Sequence, residues 1–499
     1  MRGPRSAVET RYDRAMEART FMLAGLGLGL VAAHARAETY QVGPTRTLQT
    51  LADVVDLLAP GDVVELDGDH TYDGGVVFDR PGSAASKITI RGVRVNGARP
   101  VLSGGTNTIE ARANHYIFEG LDLTGGTSRC FYHHADDITL RDSIVHDCPR
   151  HGILGADTDS GSFTLEYSEV HHCGGGTQDH QIYMSSDATV YPAAVFRMQF
   201  NYLHDANGGN NVKSRAARNE IFYNWIEGAL YHEVELIGSE VNPEPLVRED
   251  SDVVGNVLVK RSSFATVRFG GDGTGQTNGR YRFVNNTVVA APGGAAVFRL
   301  FDGIESLEAS NNVLAVRGGG ELNVVREVEA VWVTGSTTIS GQHNWLQSDA
   351  INVPAGFTDS LTGADPGFTS IDDDDLRPAD GSPLVDAGAA SSTGPAGHEL
   401  PDPLPAPLYL PPAKAALAAD TAEGRNTVGA IDIGAFELGG GGPPPPDGTG
   451  PDGGNGGGGG GGNPADGESG GCGCALAGDP ASGAPLVLGV LLALRRRKR

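Results

Sequence analysis

One polar-x-aliphatic triplet recurs eight times along the middle of this chain: Glu119-Gly-Leu121, Asp142-Ser-Ile144, Ser168-Glu-Val170, Asn201-Tyr-Leu203, Asn224-Trp-Ile226, Asn256-Val-Leu258, Asn286-Thr-Val288 and Asn312-Val-Leu314. Successive aliphatic residues lie 23 to 33 positions apart. Each copy follows a short β-patterned run, such as Ile138-Thr-Leu140 or Phe163-Thr-Leu165, and precedes Gly, Asp or His turn residues. A unit that short cannot bury its own apolar face, so it must stack on its neighbours. With several strands per unit and no amphipathic helix between units, the repeat specifies an all-β fold: a single-stranded parallel β-helix, or solenoid. Stacked coils bring identical positions into columns, aliphatic ones inside and an amide ladder at Asn201, Asn224, Asn256, Asn286 and Asn312. Those asparagines are therefore read as structural. The 73 glycines and 6% aromatic content of the 499-residue chain suit such a turn-rich β protein.

The ends divide the chain further. Residues 1–37 carry Arg14 and Arg19, the apolar run Phe21–Ala33 and the small-x-small site Ala35-Arg-Ala37, the order of a secretory signal peptide. Residues 438–471 are almost only Gly, Pro, Asp and Asn, a linker that cannot bury apolar surface. Residues 472–499 join Cys472-Gly-Cys474, a short apolar run Pro485–Leu494 and the basic cluster Arg495–Arg499. This order of parts resembles the C-terminal sorting tag of myxobacterial surface proteins, which implies processing near Cys472 and attachment to the membrane at the cell surface. Between them, residues 38–437 form the solenoid with its end caps. The spacing in Thr47–Leu58 predicts an N-terminal cap helix, and Ala364–Phe368, Gly381–Gly388 and Asp432–Phe436 fall at the far end. These features together resemble secreted proteins of the pectate-lyase-like superfamily, which implies a right-handed helix.

In the body, Cys130, Cys148 and Cys173 are three in number, so at most one disulfide can form among them, and buried thiols one coil apart are the simpler reading. No zinc spacing is present. The formal charge of −25 argues against nucleic acid.

A second ladder runs through Arg150–Ile153, Asp179–Tyr183, Asn210–Lys213 and Tyr231–Glu235. With Ile153, Ile182, Val212 and Val234 as an inward column, period-two alternation turns Gln181, Tyr183, Asn211, Lys213, Glu233 and Glu235 outward onto one face, with Arg215 at a strand end. His151, His180, Asn210 and His232 make a further column at the strand entrance, and His146, His171, His172 and His204 cluster in turns without compact metal-ligand spacing. Val212-Lys-Ser-Arg215 resembles the lysine-serine motif of β-helix polysaccharide lyases, the alginate lyases and chondroitinase B among them. That resemblance implies that Lys213 is the base, that an arginine about one coil later assists, and that calcium held by acids before the lysine neutralises a uronate. Here Glu233-Val-Glu235 stands where the arginine is expected, and Ala206–Asn210 contains no carboxylate.

By residue type, β-elimination would use Lys213 as base, Arg215 as a carboxylate clamp and Tyr183 or His180 as proton donor, with Gln181, Asn211, His232, Glu233 and Glu235 binding substrate. The partner so implied is an acidic polysaccharide, met by a monomer, with Ca²⁺ as the one cofactor in question. Two other readings use the same residues. A glycoside hydrolase needs convergent carboxylates, which Glu233 and Glu235 with Glu220 or Asp205 would supply. A non-catalytic surface module would use the ladder face to bind glycan. The run Asp372–Asp375 lacks the spaced ligands of a calcium loop.

Overall fold

The computed structural model describes residues 36–239, 248–271, 277–301, 303–327, 338–392, 394–404 and 406–442. Residues 1–35 of the expected signal peptide, most of the linker and the sorting tag lie outside the described residues. Among the described residues the chain winds into three parallel sheets of 13, 12 and 10 strands, in which neighbouring strands come from successive coils. One coil contributes Phe163–Glu166 to the first sheet, Glu169–His171 to the second and Ile182–Ser185 to the third. This is the parallel β-helix that the repeat demands.

The corner between the first and second sheets explains the repeat. There the chain turns through a residue with positive φ: Phe200 (59°), Tyr223 (55°), Asn285 (54°) and Asn311 (58°). Side chains other than glycine take that conformation at a cost, and the next residue offsets it. The Asn224 backbone N–H donates to Oδ1 of Asn256 (2.9 Å), while its Nδ2 donates to Oδ1 of Asn256, to Met198 O and to Phe222 O. The same pattern links Asn201, Asn256, Asn286 and Asn312 and continues to Asn344, all fully buried. Serines hold the position in earlier coils, Ser143 and Ser168. In the first two copies the register differs from the triplets read in the sequence: Leu123 and Val145, not Leu121 and Ile144, stack in line with Val170. The Ser143 hydroxyl, one residue after Asp142, is the ladder member, and this moves the frame.

At the front, the expected cap helix is two 3₁₀ turns, Leu51–Asp53 and Val55–Leu57. Leu51, Val54 and Leu58 are buried as a helix would bury them, but the β-branched pair Val54-Val55 disfavours a continuous helix. The far-end motifs do not form a plug. Phe368, Leu376, Leu384, Ile433 and Phe436 pack instead on the outward face of the second sheet, over Trp225, Val257, Val289 and Trp345. Cys130 and Cys148 form a disulfide (Cα–Cα 5.9 Å), and Cys173 remains a buried thiol.

Candidate functional site

The third sheet holds the second ladder. Ile153, Ile182, Val212 and Val234 pair in register as one fully buried column, as expected, and Val267 and Phe298 extend it. One residue later, Tyr183, Lys213, Glu235, Arg268 and Arg299 form the outward column, with about 4.8 Å between rungs.

The alternation fails one residue before the inward column. Gln181, Asn211 and Glu233, expected on the exposed face, are completely buried. The chain is still rounding the corner there, so two consecutive residues point inward. Gln181 Nε2 donates to His204 O (3.0 Å) and to Asn211 Oδ1 (2.6 Å). Asn211 Nδ2 donates to Glu227 O (2.8 Å) and to the Glu233 carboxylate. Glu233 in turn accepts from Lys260 Nζ at 3.2 Å and from the Ala229 N–H. Burial raises the affinity of Glu233 for its proton against the opposing pull of Lys260. These three residues form a buried structural spine and do not line the groove.

One step earlier, His151, His180, Asn210 and His232 do line the groove. The His180 N–H donates to Nδ1 of His151 (3.1 Å), the Asn210 N–H to Nδ1 of His180 (3.0 Å), and the His232 N–H to Oδ1 of Asn210 (2.9 Å). An Nδ1 that accepts leaves the neutral ring with its hydrogen on Nε2. Burial keeps these rings neutral, pushing His151 down to about 4 and His180 to about 2, where Lys213 adds to the effect, and His232 well below its ordinary value. His151 and His180 thus offer uncharged Nε2–H donors, whereas Nδ1 of His232 faces Oδ1 of Asn210 (3.3 Å) and carries the hydrogen, leaving its Nε2 as an acceptor with no partner among the described residues.

The groove encloses about 750 Å³. Arg215, expected to clamp a carboxylate, is only 2% exposed. Its Nε donates to the Tyr183 phenol oxygen (2.8 Å) and its Nη1 to Gly238 O (2.6 Å), so it positions Tyr183. Lys213 Nζ lies 4.7 Å from the centre of the Tyr183 ring. Glu235 accepts from Arg268 Nη1 (2.5 Å) and from Asn210 Nδ2. Arg268 stacks 3.9 Å from the Phe301 ring centre, and Arg299 sits 4.8 Å from Phe301 and 5.4 Å from Phe264. Arg299 makes no ion pair among the described residues, and Nε of both arginines lacks an acceptor. Burial, with Arg268 and Arg326 beside it, weakens the hold of Arg299 on its proton, which marks an uncompensated cationic site.

Arg268 and Arg299 are absent from the residues picked out of the sequence. Their signal was present: Val267-Arg-Phe269 and Phe298-Arg-Leu300 repeat the apolar-cation pattern of Val212-Lys213. One coil after Lys213, where the resemblance implies an arginine, the rung is Glu235, and the next rung carries Arg268.

The carboxylate set for a hydrolase does not converge. Glu233 is buried with Lys260, Glu235 is held by Arg268, Glu220 pairs with Arg197 and Arg218, and Asp205 pairs with His204. Calcium does not fit the groove either, since its carboxylates, Asp179 and Glu235, are each held by an arginine and the ion needs six to eight oxygens. In the run Asp372–Asp375, Asp374 is taken by Arg261, Arg317 and Lys414, and Asp375 by Arg377.

No family model matches the chain, and no curated protein matches its sequence. Among solved structures the chain is similar to pectate lyase Pel9A, at 12% identity over 81% of this chain and 98% of that one, with a TM-score of 0.46. It is also similar to an alginate lyase from Paenibacillus sp. str. FPU-7, at 16% identity over 66% of this chain and 98% of that one (TM-score 0.38). A third similar structure is the complex of XylC with xylose, at 10% identity over 66% of this chain and 86% of that one (TM-score 0.43). At identities this low no residue role passes from those proteins to this chain.

Proposed function

We propose that the groove of the third sheet binds an acidic polysaccharide and cleaves it by β-elimination at a uronate. The observation that carries this reading is the Arg268–Arg299 pair, whose Nε–H groups have no acceptor in a protein of net charge −25. Arg299, a cation held against aromatic faces without a carboxylate partner, is arranged for an anion from outside, with Arg268, itself paired with Glu235, beside it. In the proposed step the Arg299 guanidinium neutralises the uronate carboxylate, with the Arg268 Nε–H as a second donor, and so acidifies the C5 proton. Lys213, in its neutral form, takes that proton, and the C5–H electrons form the C4–C5 double bond as the C4–O bond breaks. Tyr183 delivers its phenol proton to the leaving oxygen, with Arg215 stabilising the charge that develops on the phenolate. His180 donates from Nε2 to a sugar hydroxyl, and Nε2 of His232 accepts from one. Export and display through the C-terminal tag, as a monomer, complete the proposal.

The test is ultraviolet absorbance of the unsaturated uronate when the purified protein is incubated with alginate, pectate and glycosaminoglycans, with and without calcium. Activity lost in both Lys213→Ala and Tyr183→Phe supports elimination. Saturable binding without product, weakened by Arg299→Gln, replaces the lyase with a glycan-binding module. Absence of both overturns the proposal.

A further inference from the structure

The outward face of the second sheet is covered by the C-terminal segment over its later coils, from Trp225 onward. Its earlier coils carry a different surface. His146, His171 and His204 occupy one register column there, with near-parallel rings whose centres are 5.2 and 4.9 Å apart. Glu169 lies two residues before His171 on the same strand, and alternation puts both on the same face. Potential ligand atoms of Glu169, His171 and His204 all lie within 4.8 Å of one another, and each residue is partly accessible.

The partners of His204 give this triangle its chemistry. Nδ1 of His204 is 2.8 Å from Oδ2 of Asp205, and Nε2 is 2.9 Å from Oε1 of Glu169. At these distances a protonated ring donates to both carboxylates, and a divalent ion would compete with the proton for Nε2 of His204 and Oε1 of Glu169. A carboxylate behind Nδ1 is also the support that orients a metal-binding histidine. His172 lies beside the triangle, its Nδ1 2.9 Å from Nδ1 of His171, but is not one of the three residues whose ligand atoms converge.

We propose that Glu169, His171 and His204 bind a divalent transition ion of the zinc class at the junction of two coils, on a different sheet from the groove. Two imidazoles and one carboxylate suit a borderline ion better than calcium or magnesium, and three protein ligands leave room for water as the fourth. The ion would link the Glu169–His171 rung to the Tyr202–His204 rung through side chains as well as backbone.

The test titrates Zn²⁺ alone into the full chain carrying Cys472→Ser and Cys474→Ser, which removes the thiols of the tail, with calorimetric detection. One equivalent is expected, with affinity reduced at least about tenfold by His171→Asn or His204→Asn, and more by both. The unfolding midpoint rises with zinc in the parent and not in the double variant. Should the double variant fail to fold, the Co²⁺ spectrum of the parent decides: nitrogen and oxygen ligand-field bands support the site, and thiolate charge-transfer bands assign the metal to Cys173. Substoichiometric binding, or equal binding by a folded double variant, overturns the proposal.

Discussion

The asparagine ladder and the outward column of the third sheet share the same rung geometry, yet they differ in every other respect. In the ladder one residue type repeats from Asn201 to Asn344, and each side chain meets its neighbours' needs. In the outward column the residue type varies, from Tyr183 through Lys213 and Glu235 to Arg268 and Arg299, and donors are left without acceptors. A repeated column answers a demand that every coil makes. A varied one is free of that demand, and its unsatisfied groups point to a ligand.

Breaking the ladder should have the largest effect. Asn256→Ala removes the acceptor of the Asn224 N–H and side chain and takes away the side-chain donor to the Ile221 and Val254 carbonyls, the latter keeping the Tyr223 N–H. With about 1–3 kcal/mol for each buried group left unpaired, the loss should be about 3 kcal/mol or more in urea unfolding. The next effect separates the two histidine faces by sign. His151 is depressed to about 4 by burial, so the unfolded chain takes up a proton first as pH falls. The parent should therefore lose stability relative to His151→Gln between pH 6.5 and 4, by up to about 3 kcal/mol. His146 is raised to about 9 by hydrogen bonds to Asp122 and Asp147. Its contribution should be fully present below pH 6.5 and lost as pH rises through 9, measured against His146→Gln. Third, Arg299→Gln should weaken polysaccharide binding by about ten- to a hundredfold, roughly 1.4–2.8 kcal/mol, with an unchanged unfolding midpoint. The smallest effect is expected at the exposed Arg91–Glu119 pair of the first sheet. Glu119→Gln should change stability by less than about 1 kcal/mol and leave binding untouched, which calorimetry on the same ligand checks.

Much of this architecture was legible in the sequence because stacking repeats one requirement at fixed intervals. The aliphatic column through Ile182 and Val212, the asparagine ladder and the entrance column of His151, His180, Asn210 and His232 all follow from it. What was not legible depends on local departures from the period. Alternation cannot foresee that Gln181, Asn211 and Glu233 sit where the chain is still turning, nor that Arg215 runs back to Tyr183. Arg268 and Arg299 escaped because they lie on coils without the histidine and asparagine entrance that drew attention to the earlier strands. The disulfide depended on which thiols face each other across a coil, which spacings of 18 and 25 residues leave open.

The outward column of the third sheet takes one side chain from each turn of the solenoid, and each turn contacts little beyond its two neighbours. Such a surface can grow or shrink by whole units: duplication of one coil would lengthen the row by a rung, and deletion would shorten it, with the remaining rungs still in register. On the proposed reading, the length of polymer engaged is then a heritable trait that changes in discrete steps, separately from the identity of the residues that contact it.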